Sequence, residues 1–303
     1  MKLLISIGAI RKVESLQKRL DLEAHNLENW GIKFVLNSVK VGELTLLQCN
    51  LRPILQTMPN QELMIRYYLA RVISDFIVTE WELPLLNKIV NQHHNLVAWV
   101  ERDQITQRAK KILDLTDLIQ EDKTVALVAN SNRRNWILKE VFHYLETNNE
   151  LIIDGFLRFR LKKYLNQLRQ AVDLAIDEVQ QEKEYQEFIH LLRYFVQMQE
   201  PQVSQAHVIL RPNGIFHIFD AQGKPVENEY QDSFLLEVVD NELNYEDLLL
   251  SALITLAPQQ ITLHTLEIKR YLESIGTIQR VFGGRVEICR GCERCQEQGQ
   301  PYN

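Results

Sequence analysis

Glycine and proline are scarce in this chain, 11 and 8 of its 303 residues. With so few helix breakers, abundant Leu, Glu and Gln point to a helix-rich protein. No apolar run approaches the ~20 residues a membrane helix needs, which excludes a helical span. Nor is there an excess of positive charge. The formal net charge is −6, which argues against bulk electrostatic binding to nucleic acid or to an anionic membrane. A Gly-x-Gly-x-x-Gly run, a P-loop, a Gly-x-Ser-x-Gly elbow and a His-Glu-x-x-His run are all missing, so an ordinary nucleotide-using enzyme is not expected. The N-terminal run Leu3–Ile10 is short, and Arg11 and Lys12 follow it where a small-residue cleavage site would belong. It reads as a first strand rather than a secretory signal. There are only four cysteines, three of them crowded near the C-terminus, which is no disulfide framework. The expected compartment is the cytoplasm.

What is present is an ordinary globular composition, 46% hydrophobic and 24% charged, long enough for one to three domains at ~100–200 residues each. Period-two and period-3.6 patterns divide it. Residues 1–59 read as βαββ: strand Leu3–Ile7, a helix from Arg11 to Asn29, then strands Ile32–Val39 and Leu44–Cys49 about a turn at 40–43. Residues 60–200 read as helical, with Pro84 opening a new helix and Ser131 or Asn132 capping another. Thr124–Ala129 is equally compatible with a short strand. One or two long helices are expected between Phe156 and Met198. Residues 201–290 form a mixed α/β portion. In it Asn213-Gly214 specifies a two-residue hairpin turn that sets Leu210 opposite His217 and His207 opposite Asp220. A strand near Phe234–Val239, a helix Tyr245–Leu256, and a βαβ unit of Ile261–His264, Glu267–Phe282 and Val286–Cys289 follow. Residues 291–303 form a polar cysteine-containing tail, expected to be disordered beyond Cys295. The fold class is therefore α+β, a helix-rich centre flanked by two smaller α/β portions.

The strongest chemical signal is Cys289-Arg290-Gly291-Cys292-Glu293-Arg294-Cys295. Two residues between successive thiols let one turn aim several sulfurs at an ion, and Gly291 supplies the backbone freedom. The candidates are Zn2+ or an iron–sulfur cluster, although cluster motifs of this spacing continue to a fourth cysteine that is missing here. Redox-active thiols without metal are the alternative, with Arg290 and Arg294 expected to favour the thiolates. Three thiolates leave a tetrahedral ion one ligand short. If Ile261–His264 and Val286–Cys289 are parallel strands, they end at one sheet edge and bring His264 near Cys289. His207 and His217, by the hairpin register, fall on opposite faces and do not share a site. Cys49 reads as a buried small hydrophobe.

Two weaker patterns remain. Glu140-x-x-His143 and Glu187-x-x-His190 have the i,i+3 spacing of di-iron helices, but the other carboxylates have no separate helices to come from, so they read as solvated pairs. The segment Phe156–Tyr164 interleaves aromatics with Arg158, Arg160, Lys162 and Lys163. That pattern fits a partner- or nucleic-acid-binding face, or an amphipathic helix start with its cations outside. Asp173, one turn after Arg169, belongs to an ordinary charged face.

Two long runs, Asp154-Gly155-Phe156-Leu157-Arg158-Phe159-Arg160-Leu161-Lys162-Lys163-Tyr164-Leu165 and Glu184–Val196 with Gln199-Glu200-Pro201, resemble the central signature of the YtxC family of sporulation proteins. The ending Leu253–Pro258, then Arg285–Cys289 with Gly291, Cys292 and Cys295, is similar to that family's C-terminus. The resemblance is strongest from Leu151 to Cys295. It implies a bacterial, cytoplasmic setting in endospore-forming Firmicutes and an association with sporulation. It carries no assigned activity and no catalytic residues. The reading is thus a non-catalytic protein with a metal or redox tail, with a protein partner or homo-oligomer as possible company. The competing classes are a redox or cluster-dependent enzyme and a nucleic-acid-binding regulator.

Overall fold

A computed structural model describes residues 3–29, 32–53, 61–93, 98–119, 131–211, 216–226, 245–265 and 269–296. The chain divides into two compact units, Met1–Gln180 and Gln181–Asn303.

In the first unit the alternating apolar residues of β1 (Leu3–Ala9) bury Ile5, Ile7 and Ala9 completely. β1 lies between two partners in a four-stranded sheet of order β2-β3-β1-β4. β2 (Ile32–Val41) and β3 (Leu44–Pro53) form the expected hairpin, and Gly42 takes the positive φ of 63° that its turn requires. The short β4 (Glu150–Ile152) runs parallel to β1. Helix α1 (Val13–Asn29) lays the stripe Leu16, Leu20 and Leu27 into the core.

The helical region follows the predicted periods. α2 (Gln61–Phe76) passes through a π-helical turn, Ile77–Trp81, into α3 (Glu82–Gln92), with Pro84 in the first turn of α3. α4 (Arg102–Ile119) buries Ile105 and Ala109, and α5 (Ser131–Thr147) buries Ile137, Val141 and Leu145. α6 (Ile153–Phe159) precedes α7 (Lys162–Met198), 37 residues long. The strands and helices of this unit share one apolar core. A charge cluster is buried among the described residues of this unit. Glu82, 1% exposed, meets Lys110 at 2.7 Å, Arg133 at 3.0 Å and the Tyr164 hydroxyl at 3.0 Å.

The second unit is a two-layer α/β sheet of order β6-β5-β7-β8, from β5 (Gln205–Leu210), β6 (Phe216–Phe219), β7 (Gln260–His264) and β8 (Val286–Ile288). β5, β7 and β8 are parallel, and β6 is the antiparallel edge. Ala206, Val208, Leu210, Ile218, Ile261 and Leu263 face a core completed by α8 (Tyr245–Leu256), α9 (Leu272–Phe282) and the last turns of α7.

The β5–β6 register corrects the expected one by a residue. Leu210 opposes Phe216, Ile209 opposes His217, and His207 opposes Phe219. Burial explains the shift. This register sets Val208 against Ile218 on the core face, whereas the predicted one would have set Leu210 against His217. His207 and His217 therefore share a face, contrary to the expectation. The turn at 212–215, the two undecided or expected strands at 124–129 and 234–239, the start of the helix expected at 267, and the tail from 297 lie outside the described residues.

Candidate metal centre

The end of β7 and the chain leaving β8 build the site together. Because the two strands are parallel neighbours with Leu263 opposite Ile288, their C-terminal ends deliver His264 and Cys289 to one edge of the sheet. The Cys289 amide still donates to the Leu263 carbonyl at 2.9 Å, so the ladder aims the first cysteine. Gly291 then takes φ 120°, a conformation that residues with a Cβ rarely adopt. A single helical turn, α10 (Glu293–Gln296), follows, and the Cys295 amide donates to the Cys292 carbonyl at 3.0 Å. That turn puts the sulfurs of Cys292 and Cys295 on one side.

The result is a cluster in which the donor atoms of His264, Cys289, Cys292 and Cys295 all lie within 4.8 Å of one another. His264 Nδ1 is 3.4 Å from Cys292 Sγ and 3.5 Å from Cys295 Sγ, and those two sulfurs are 3.8 Å apart. A tetrahedron around Zn2+, with Zn–S about 2.3 Å and Zn–N about 2.0–2.1 Å, has S···S edges of about 3.8 Å and N···S edges of about 3.5 Å. These three separations fit donors that could hold one small ion. A [4Fe–4S] cluster binds each thiolate to a different iron and spreads the sulfurs farther apart.

Burial and neighbours set the protonation of these ligands. His264 is 3% exposed. Its pKa is pushed down to about 4, first by burial and then by His207 and the Arg294 cation, so the ring is neutral and able to ligate at pH 7. Burial disfavours a Cys292 thiolate. It is outweighed by hydrogen bonds from the Cys295 backbone, the Cys289 and Cys295 thiols and the Arg294 backbone, which leave Cys292 below its ordinary value. Cys295, fully buried, is pushed up to about 11 by that burial. The expected influence of the two arginines is thereby corrected. At Cys292 Arg294 acts through its backbone, while its guanidinium depresses His207 and His264. That guanidinium packs against Gly223, and its Nη1 is buried without a hydrogen-bond partner.

Sequence reasoning missed His207. It lies on the same sheet face as His264, and its Nδ1 is 3.1 Å from His264 Nε2. Only the parallel β5–β7 register, which sets His207 against Thr262 and Ile209 against His264, brings them together.

The other candidates stay outside this cluster. Cys49 is fully buried on β3 and its thiol is pushed up to about 12 by burial and then by Asp21. His143 is exposed and pairs with Glu146, and Glu187 and His190 are exposed as well. In the basic segment Phe156, Leu157, Leu161 and Tyr164 are buried while Arg158, Arg160, Lys162 and Lys163 face solvent. Phe159 departs from the amphipathic pattern, being 66% exposed beneath the Arg158 guanidinium. Arg160 lies over Tyr144 beside a cavity of about 570 Å³ that Phe159, Asn148 and Glu150 also line. No helix is long and apolar enough to cross a membrane among the described residues.

Comparison with known proteins gives the same family twice. The sequence profile of the YtxC-like family matches residues 67–287. A Bacillus subtilis (strain 168) protein named "Uncharacterized protein YtxC" is 27% identical over 226 residues, 74% of this chain and 77% of that protein. No solved structure matches the chain.

Proposed function

We propose, for a chain that belongs to the YtxC-like family, that its second unit is a zinc-binding module without catalytic activity. Cys289, Cys292, Cys295 and His264 hold one Zn2+. The observation that carries this reading is the match between the 3.4, 3.5 and 3.8 Å donor separations and the edges of a zinc tetrahedron. Four protein ligands leave no open position for a substrate or an activated water, which favours a structural or regulatory ion over a catalytic one. Three thiolates and a neutral imidazole around Zn2+ leave one net negative charge, and the Arg294 cation beside the cluster offsets it. A cytoplasmic place in sporulation is part of the proposal and is supported by the family resemblance.

Cobalt substitution tests the reading. Tetrahedral Co2+ on three thiolates gives intense visible and charge-transfer absorption, which zinc should displace. A Cys295→Ser variant should lose both. Weak octahedral absorption, or none, would set the proposal aside. An air-sensitive brown chromophore would instead favour the redox or cluster-dependent alternative.

A nucleic-acid role through Arg158, Arg160, Lys162 and Lys163 is the second reading, favoured by the exposure of all four cations beside Phe159. It requires binding that weakens steeply with salt.

A further inference from the structure

The contact between His207 and His264 joins two ring nitrogens, Nδ1 of His207 and Nε2 of His264, at 3.1 Å. Such a contact is stable only when one nitrogen carries the proton and the other offers a lone pair. The far nitrogen of His264, Nδ1, faces the sulfurs of Cys292 and Cys295. For Nδ1 to bind a metal it must be bare, so the neutral ring carries its proton on Nε2. Nε2–H then points at His207, and His207 can accept it only with a bare Nδ1 and its own proton on Nε2. With an ion on Nδ1, one pair of tautomers satisfies every contact.

We infer that His207 is a positioning residue of the metal site, accepting the Nε2–H of His264 and so holding the His264 Nδ1 lone pair on the ion. This inference rests on the zinc reading above. Histidine ligands are commonly oriented by an acceptor on their second nitrogen, most often a carboxylate or a carbonyl. Here the acceptor is a second imidazole, supplied by the neighbouring parallel strand. Without metal both pairs of tautomers suit the thiol-lined site, because His264 Nδ1 can accept a thiol S–H or donate to a thiolate; the ion is what selects one pair.

The experiment uses full-length protein in two measurements. Long-range proton–nitrogen NMR on zinc-loaded wild type should place the His264 and His207 protons both on Nε2. Competition with a chromophoric chelator should show zinc affinity reduced about 10–100-fold in His207→Ala. His207→Asn should lie nearer to wild type, because the Asn side-chain oxygen can occupy the place of Nδ1 and accept the same bond. A proton on Nδ1 of either histidine in the loaded protein overturns the inference, as does equal zinc affinity in wild type and His207→Ala. Either result leaves the zinc reading standing. Wild type that takes up no zinc at all overturns both. Should His207→Ala misfold, the wild-type spectrum and the asparagine variant decide alone.

Discussion

Cys49 and Cys295 are both fully buried and Cys292 is half-buried, yet burial has different consequences at each. Cys49 sits among apolar side chains of the first sheet, and its thiol is held up to about 12. Cys292 has N–H and S–H donors around it that lower its thiol. In metal-free protein a thiol-alkylating reagent at pH 7 should therefore modify Cys292 before Cys49, and Cys49 only on unfolding. Mass spectrometry of the labelled peptides decides this, and comparable rates at both would refute it. His264 adds a pH dependence. Its pKa falls from 6.5 to about 4 on folding, so between those values the unfolded chain binds the extra proton and the folded one does not. Stability from this group is fully present above pH 6.5 and is lost as pH falls toward 4. The denaturant midpoint of metal-free protein should decline through that window, and His264→Gln should flatten the decline.

At the scale of elements, the site depends on one turn and two strands. Gly291 holds φ at 120°, and a Cβ added there meets no neighbouring atom. The penalty of Gly291→Ala is thus backbone strain alone, on the order of 1–3 kcal/mol, and zinc affinity should drop roughly tenfold with the fold intact. The cysteine spacing and the joint edge of β7 and β8 were legible in the chain, because Cys-x-x-Cys-x-x-Cys is local and a βαβ connection limits where its second strand can lie. His207 was not legible. Its place depends on β5 pairing in parallel with β7, where Gln205 meets Gln260 far along the chain, and no local pattern announces that register. Likewise the Glu82 cluster joins α3, α4, α5 and α7, and no period announces it. Arg133→Ala removes one of two cations, Arg133 and Lys110, from a carboxylate that is 1% exposed and should cost up to about 3–5 kcal/mol. Tyr164→Phe, which removes one hydrogen bond, should cost about 1–3 kcal/mol. Denaturant titration would check the order, and a reversal would contradict the ionic account.

For the whole molecule, the two units should answer metal removal differently. All four tryptophans, Trp30, Trp81, Trp99 and Trp136, fall in the first unit, and all four zinc-site residues fall in the second. An ion bound only by the folded state stabilises the unit that holds it. Chelation should leave the thermal transition seen by tryptophan fluorescence in place. It should also speed amide exchange in β7 and β8, and equal loss of protection in both units would contradict a local role. The most direct test of the zinc reading is elemental analysis of purified wild-type protein beside Cys292→Ser. The account predicts one zinc per chain in the wild type and little or none in the variant. Wild type without zinc, zinc retained undiminished by the variant, or stoichiometric iron in place of zinc would contradict it.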